Sequence, residues 1–259
     1  MTSVSTLRVA AAQILAGADP VANLAGATDA VRRAADAGAE LVALPEATLA
    51  AFGSDLRAVA EPLDGPFATG LRKVAEETGV VVVAGLFEPS ADGRVFNTLL
   101  ATGPGVEASY RKIHLYDAFG SRESDLVAPG KELVTFALRG VTVGLATCYD
   151  LRFADQFSAL GRLGAELLVV PASWGAGPGK EEQWDLLTRA RASDAQAWLL
   201  ACDQAWTPPA GTDPLGIGRS VLADPLGRVN ARLGSEPGLL LGTVDTELAA
   251  STRQRVPIL

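Results

Sequence analysis

One histidine, one methionine and two cysteines stand among the 259 residues of this chain, and each scarcity removes a class of function. A single histidine, His114, leaves little scope for a Cys/His metal cluster, and no Asp/Glu spacing reads as a loop for Mg²⁺ or Ca²⁺. The cysteines, Cys148 and Cys202, both lie in aliphatic runs, which argues against a disulfide framework and fits a reducing cytoplasm. No apolar stretch reaches ~18 residues without charges or turn formers, so no transmembrane helix is expected. Residues 1–6 lack a basic segment and run straight into a strand-like stretch, so they do not read as a signal peptide. Positive charge is short too: 22 Lys and Arg against 30 Asp and Glu give a formal net charge of −8. That balance argues against nucleic acid or an anionic membrane as partner. Aromatics make up 6% of the chain while hydrophobic residues reach 48%, so the core must be aliphatic. An aliphatic core suits sheets covered on both faces, whose strands read as continuous apolar runs.

What is present is a repeated unit, an apolar strand that delivers one reactive side chain at its carboxyl end. Residues 7–14 read as a strand and 18–38 as a helix, with an Ala/Val/Leu stripe and Gly38 as its stop. Residues 41–44 form a short buried strand halted by Pro45 and followed at once by Glu46. A helix over 66–78 ends at Gly79, a strand follows over 80–87, and Asp92-Gly93 marks a hairpin into 95–100. The strand over 106–110 runs into Arg111-Lys112-Ile113-His114, and residues 117–131 form a turn-rich loop of the kind that lines pockets. A further strand after Gly140 ends in Cys148, with a helix over 154–163 behind it. Beyond it come a strand over 166–171, a helix over 181–195, a strand over 197–202, strands near 219–223 and 239–244, and a short helix in the tail. No linker or composition break divides residues 1–259, so one domain is expected, a layered α/β sandwich with helices outside.

Three of these strand ends carry chemistry together. Cys148 sits on a tight strand-to-helix turn, where a thiol needs a base or a nearby cation to act as nucleophile at neutral pH. Glu46 follows a wholly apolar strand, and burial pushes a carboxylate upward toward the range useful in proton transfer. Lys112 supplies an ammonium that can complete an oxyanion site, together with N–H groups left unpaired at the start of the next helix. Alone, Glu46 reads as a helix start, Lys112 as a solvated side chain and Cys148 as a small core residue; their occurrence together favours the reactive reading.

Leu44-Pro45-Glu46, Tyr110-Arg111-Lys112-Ile113-His114-Leu115 and Thr147-Cys148-Tyr149-Asp150-Leu151-Arg152-Phe153 resemble, in order, the three motifs of the nitrilase superfamily of carbon–nitrogen hydrolases. The resemblance implies a four-layer αββα sandwich that forms a homodimer, no cofactor and no metal, and a catalytic Glu–Lys–Cys triad at Glu46, Lys112 and Cys148. It further implies that Glu123 supports the triad and that the Tyr149 backbone N–H joins Lys112 in holding the oxyanion. Residues 112–119 and 177–184 and Gly218-Arg219-Ser220 are most similar to the deaminated-glutathione amidase branch, beside the ω-amidases. The implied substrate is the terminal amide of a small dicarboxylate-like molecule, with Tyr116, Phe119, Arg152, Trp174 and Lys180 as candidates to bind it. Gln183 departs from the His common in that branch, and Ala154-Asp155 from its Pro-Glu; both bear on substrate choice.

Alternatives stay in play. An N-carbamoyl hydrolase, a nitrilase acting on C≡N or a binding protein on the same fold would share these motifs. A Cys–His protease built on His114 lacks an identifiable Asn or Asp to orient the imidazole. Cys202 reads as core, and Trp174 and Trp184 read equally as core packing or as pocket walls.

Overall fold

A computed structural model describes residues 6–206 and 216–259. The segment read above as no signal peptide falls almost wholly outside these residues. Twelve strands form two six-stranded sheets. The first contains β1 (Thr6–Gln13), β2 (Leu41–Ala43), β3 (Val81–Pro89), β4 (Val95–Gly103), β5 (Val106–Arg111) and β12 (Gly238–Asp245), in the order β12-β1-β2-β3-β4-β5. The second contains β6 (Val134–Leu138), β7 (Val141–Leu145), β8 (Leu167–Ala172), β9 (Trp198–Asp203), β10 (Val221–Ala223) and β11 (Val229–Arg232), in the order β11-β10-β9-β8-β7-β6. Each sheet has three parallel strands at its centre, β1–β2–β3 and β7–β8–β9, flanked by antiparallel neighbours.

Side-chain alternation explains the layering. Successive strand residues point to opposite faces, and both faces here are apolar. Leu7, Val9 and Ala11 of β1 join Val143, Leu167, Val169 and Leu200 in a core between the sheets. Ala10 and Ala12 of the same strand face outward under helices α1 (Pro20–Asp36) and α3 (Pro66–Thr78). On the other side Leu168, Val170 and Leu199 lie under α4 (Ala154–Arg162) and α5 (Lys180–Ala195). The result is the αββα sandwich that the sequence predicts. Each fully buried Val or Leu contributes about 1.5–3 kcal/mol, the principal favourable term.

Helix α1 begins at Pro20 rather than at residue 18, because Asp19 caps it by accepting the Val21 N–H at 2.9 Å. Helix α3 and its left-handed Gly79 stop match the sequence reading. A short helix α2 (Leu56–Val59) and the strands β6 and β11 were not legible in the sequence; both strands are short, half-exposed edge strands, and β11 (Val-Asn-Ala-Arg) has no apolar run. The strand expected near 219 starts only at Val221, because Gly218 and Arg219 both take positive φ. Helix α6 (Thr246–Arg255) closes the fold. Among the described residues no helix is long and apolar enough to cross a membrane, and no group of three or more His, Cys, Asp or Glu is placed to hold a metal ion.

Candidate active site

Because β2, β5 and β7 end at the same edge of the sandwich, Glu46, Lys112 and Cys148 converge there from distant parts of the sequence. Glu46 is buried on the turn after β2, with Ala47 in the left-handed region. Its Oε1 accepts from Lys112 Nζ at 3.0 Å, and its Oε2 accepts from the Ser173 N–H, beyond the end of β8, at 2.9 Å. Gly85 of β3 makes this turn possible: a Cβ there would stand 2.6 Å from the Ala47 nitrogen and 2.7 Å from Glu46 Cα.

Lys112 Nζ is also gripped by Glu123, at 3.1 Å to Oε1 and 2.9 Å to Oε2. Glu123 opens a single 3₁₀ turn (Glu123–Asp125) inside the loop after β5, and its Oε2 accepts the Tyr116 N–H at 2.6 Å. Burial disfavours the ammonium, but Glu123 and then Glu46 outweigh it and hold Lys112 well above the ordinary lysine range.

Cys148 follows β7 as the first residue of a 3₁₀ turn (Cys148–Arg152), with φ at +45°. That left-handed conformation is strained for a residue with a Cβ, at about 1–3 kcal/mol, and such strain collects at functional turns. The thiol is 8% exposed. Burial, and then the Glu46 charge beside it, push it well above the usual thiol range, with Lys112 opposing. At rest the sulfur is therefore a protonated thiol facing a carboxylate. Tyr149 lies next in the turn, where the first N–H groups lack intrahelical acceptors.

The five candidate binding residues gather around this centre. Tyr116 meets Tyr149 edge to face with ring centroids 5.1 Å apart. Lys180 Nζ donates to Tyr116 Oη at 3.1 Å and lies 3.8 Å from the centre of the exposed Phe119 ring. Arg152 stands 5.2 Å from the Trp174 ring and donates to Gln183 Oε1 at 2.6 Å. Trp174 is fixed at both ends: its backbone N–H donates to Asp203 Oδ1 at 2.7 Å and its Nε1 to the Lys180 carbonyl at 3.0 Å. Two cations and a wall of aromatic rings thus share one side of the centre.

Comparison with known proteins places this geometry. The carbon–nitrogen hydrolase family model matches residues 8–254. The chain belongs to the carbon–nitrogen hydrolase family. A hydrolase of Mycobacterium tuberculosis is 49% identical over 98% of this chain and 94% of its own length. The deaminated glutathione amidase of Escherichia coli O157:H7 is 39% identical over 66% of this chain and 63% of its own. A mouse omega-amidase is 33% identical over 98% of this chain and 94% of its own. Among solved structures, Saccharomyces cerevisiae Nit3, a member of branch 10 of the nitrilase superfamily, superposes with a TM-score of 0.86 at 26% identity, covering 98% of this chain and 96% of that one. The protein is thus a nitrilase-superfamily hydrolase acting on carbon–nitrogen bonds.

Two residues of this carbon–nitrogen hydrolase escaped the sequence reading. Asp150 is fully buried and joins the nucleophile turn to the Lys112 strand end. Its Oδ2 accepts from Tyr110 Oη at 2.6 Å and the Thr147 N–H at 2.8 Å; its Oδ1 accepts from the His114 N–H at 3.1 Å. His114 Nδ1 lies 2.9 Å from the same Oδ1, and its ring stacks on Phe153 at 3.6 Å. Asp150 is thus an orienter for His114 that the sequence reading did not find, but the groups acting on the Cys148 thiol are Glu46 and Lys112 rather than the imidazole, which belongs to the scaffold beneath the turn. Asn97 of β4 is the second, donating from Nδ2 to Glu46 Oε1 at 2.7 Å. Nothing local marks either role: Asn97 is one polar residue within a strand, and Asp150 lies inside the Cys148 motif with no feature that sets it apart. Cys202 is core, with Sγ 3.4 Å from the Ala12 carbonyl, and Trp184 is fully buried.

Proposed function

We propose that the chain is a cysteine-dependent amidase that hydrolyses the terminal carboxamide of a small dicarboxylate-like amide of the deaminated-glutathione type, giving the acid and ammonia. The observation that carries this reading is the enclosed charge set, Lys112 clamped between Glu46 and Glu123 beside a thiol that Glu46 faces. Glu46 takes the thiol proton as the sulfur attacks the amide carbonyl. Lys112 and the Tyr149 N–H stabilise the tetrahedral oxyanion, about 3–4 kcal/mol for a good donor. Glu46 returns the proton to the departing nitrogen, ammonia leaves, and a thioester remains on Cys148. Water then attacks the thioester carbonyl as it gives its proton to Glu46, with Glu123 helping to position it. The resulting tetrahedral oxyanion collapses, breaking the C–S bond to release the acid and the Cys148 thiolate, which recovers its proton from Glu46.

The cations Lys180 and Arg152 favour a substrate that carries a carboxylate away from the scissile amide. The likeness to the Escherichia coli amidase supports the deaminated-glutathione type, and the mouse omega-amidase supports 2-oxoglutaramate as the second reading. The superfamily resemblance adds a homodimer, which sedimentation equilibrium tests directly, and the two unpaired cysteines favour a reducing, cytoplasmic setting.

The deciding assay is ammonia release from deaminated glutathione and 2-oxoglutaramate beside simple nitriles and N-carbamoyl amino acids. Cys148→Ser serves as the blank. Release from one dicarboxylate amide, absent in the variant, is the expected result and selects between the two readings. Undiminished turnover in Cys148→Ser refutes the mechanism, and preference for a nitrile or an N-carbamoyl compound refutes the substrate class.

A further inference from the structure

The enclosure around Lys112 does not balance its own charge. Two carboxylates, Glu46 and Glu123, face one ammonium, leaving one negative charge in excess beside a neutral thiol. Buried excess charge is costly unless hydrogen bonds spread it. Ser173 and Tyr116 each lend a backbone N–H to one carboxylate. Asn97 does something different. Its Nδ2 reaches Glu46 Oε1 at 2.7 Å and Glu123 Oε1 at 3.2 Å, so a single amide spans both anions. Its Oδ1 is buried and accepts nothing from the protein, so the two carboxylates alone fix which way the amide faces. The reverse orientation would set a carbonyl oxygen against two anions. The Asn97 main-chain carbonyl accepts the Lys112 N–H at 2.8 Å, which ties the same residue to the lysine backbone.

We propose that Asn97 is a positioning residue that couples Glu46 to Glu123 and keeps the Glu46 carboxylate aimed at the Cys148 thiol as its proton acceptor. The inference rests on the amidase reading, in which Glu46 serves Cys148. Loss of a donor to an anion raises that anion's proton affinity. The titratable groups facing Asn97 and its two carboxylates are Lys112, Cys148 and the buried Asp203, on which the Glu46 charge also acts, and of these the thiol is the one that alkylation reports.

Alkylation of Cys148 by iodoacetamide tests this without any known substrate: the sulfur displaces iodide and its proton passes to Glu46. The pH–rate profile is recorded for the wild-type protein, Asn97→Ala and Asn97→Asp, with Cys148→Ser as the blank and near-ultraviolet circular dichroism as the check on folding. The pH of half-maximal rate is expected to rise by about one unit in Asn97→Ala, and further in Asn97→Asp, where a third carboxyl joins the pair. A residue that merely packs would lower the melting temperature and leave that midpoint in place. Superimposable profiles for the wild type and a folded Asn97→Ala would overturn the proposal. So would failure of both variants to fold, which would assign Asn97 to the scaffold. If the wild-type protein shows no alkylation that depends on Cys148, the amidase reading itself falls, and that outcome is visible before any Asn97 variant is made.

Discussion

Replacing Asp150 by alanine tests how the nucleophile turn is held against the lysine strand. The carboxylate is fully buried and takes bonds from Tyr110 Oη, the Thr147 N–H and the His114 N–H, with His114 Nδ1 also on it. Alanine leaves those donors behind. His114 is partly exposed and can turn to water, whereas Tyr110 and Thr147 are buried and cannot. Stranding a buried donor costs about 1–3 kcal/mol, so the two together put the loss of stability at about 2–6 kcal/mol. Urea unfolding followed by tryptophan fluorescence measures it. Tyr110→Phe supplies the internal control, because it removes one of the stranded groups. The double variant is therefore expected to be less destabilised than the two single effects combined, by roughly 1–2 kcal/mol. A loss below about 1 kcal/mol in Asp150→Ala, or strict additivity with Tyr110→Phe, would refute the account of Asp150 as the tie between the two loops.

Three further outcomes are expected. Lys112→Met leaves Glu46 and Glu123 facing each other in the interior without a cation, so the variant should lose about 3–5 kcal/mol at pH 7 and recover part of it at pH 5, where one carboxyl can take up a proton. Equal losses at both pH values in urea unfolding would contradict this. Lys112 and Cys148 both hold their protons more tightly in the folded chain than their ordinary values allow. Stability from that source is full below the unfolded thiol value and is lost as pH rises, so the urea midpoint should fall above about pH 8.5, and less steeply in Cys148→Ser. Finally, Gly85→Ala drives a Cβ into the Glu46 turn, and kcat should fall at least ten-fold while the secondary structure measured by circular dichroism is retained. Unchanged kcat would show that the turn has room to give.

How much could be read from the chain alone differs by element, for physical reasons. The central strands and α3 were legible because their burial is written into continuous apolar runs and a Gly stop. The edge strands β6 and β11 are short and half-exposed, so burial does not mark them; pairing with β7 and β10 makes them strands. Glu46, Lys112 and Cys148 could be named as candidates because each follows a strand end in a specific local sequence, and Glu123 only because the motifs resemble those of the superfamily. Asn97 and Asp150 could not, since nothing local distinguishes an asparagine in a strand or an aspartate in a turn until its partners arrive.

The sequence by itself determined that the central strands, apolar on both faces, must be covered on both sides; that two sheets pack face to face beneath outer helices was implied by the resemblance of the motifs and decided by the tertiary structure. The sequence also determined which side chains stand at the carboxyl ends of those strands. Only the tertiary structure decided that one amide bridges Glu46 and Glu123, 51 and 26 positions away along the chain. It alone decided that the sole histidine is taken up by Asp150, and that Lys180 and Arg152 share one wall of rings. Hydrogen bonds and charge pairing act over a few ångströms, and those distances exist only once the sheets have packed.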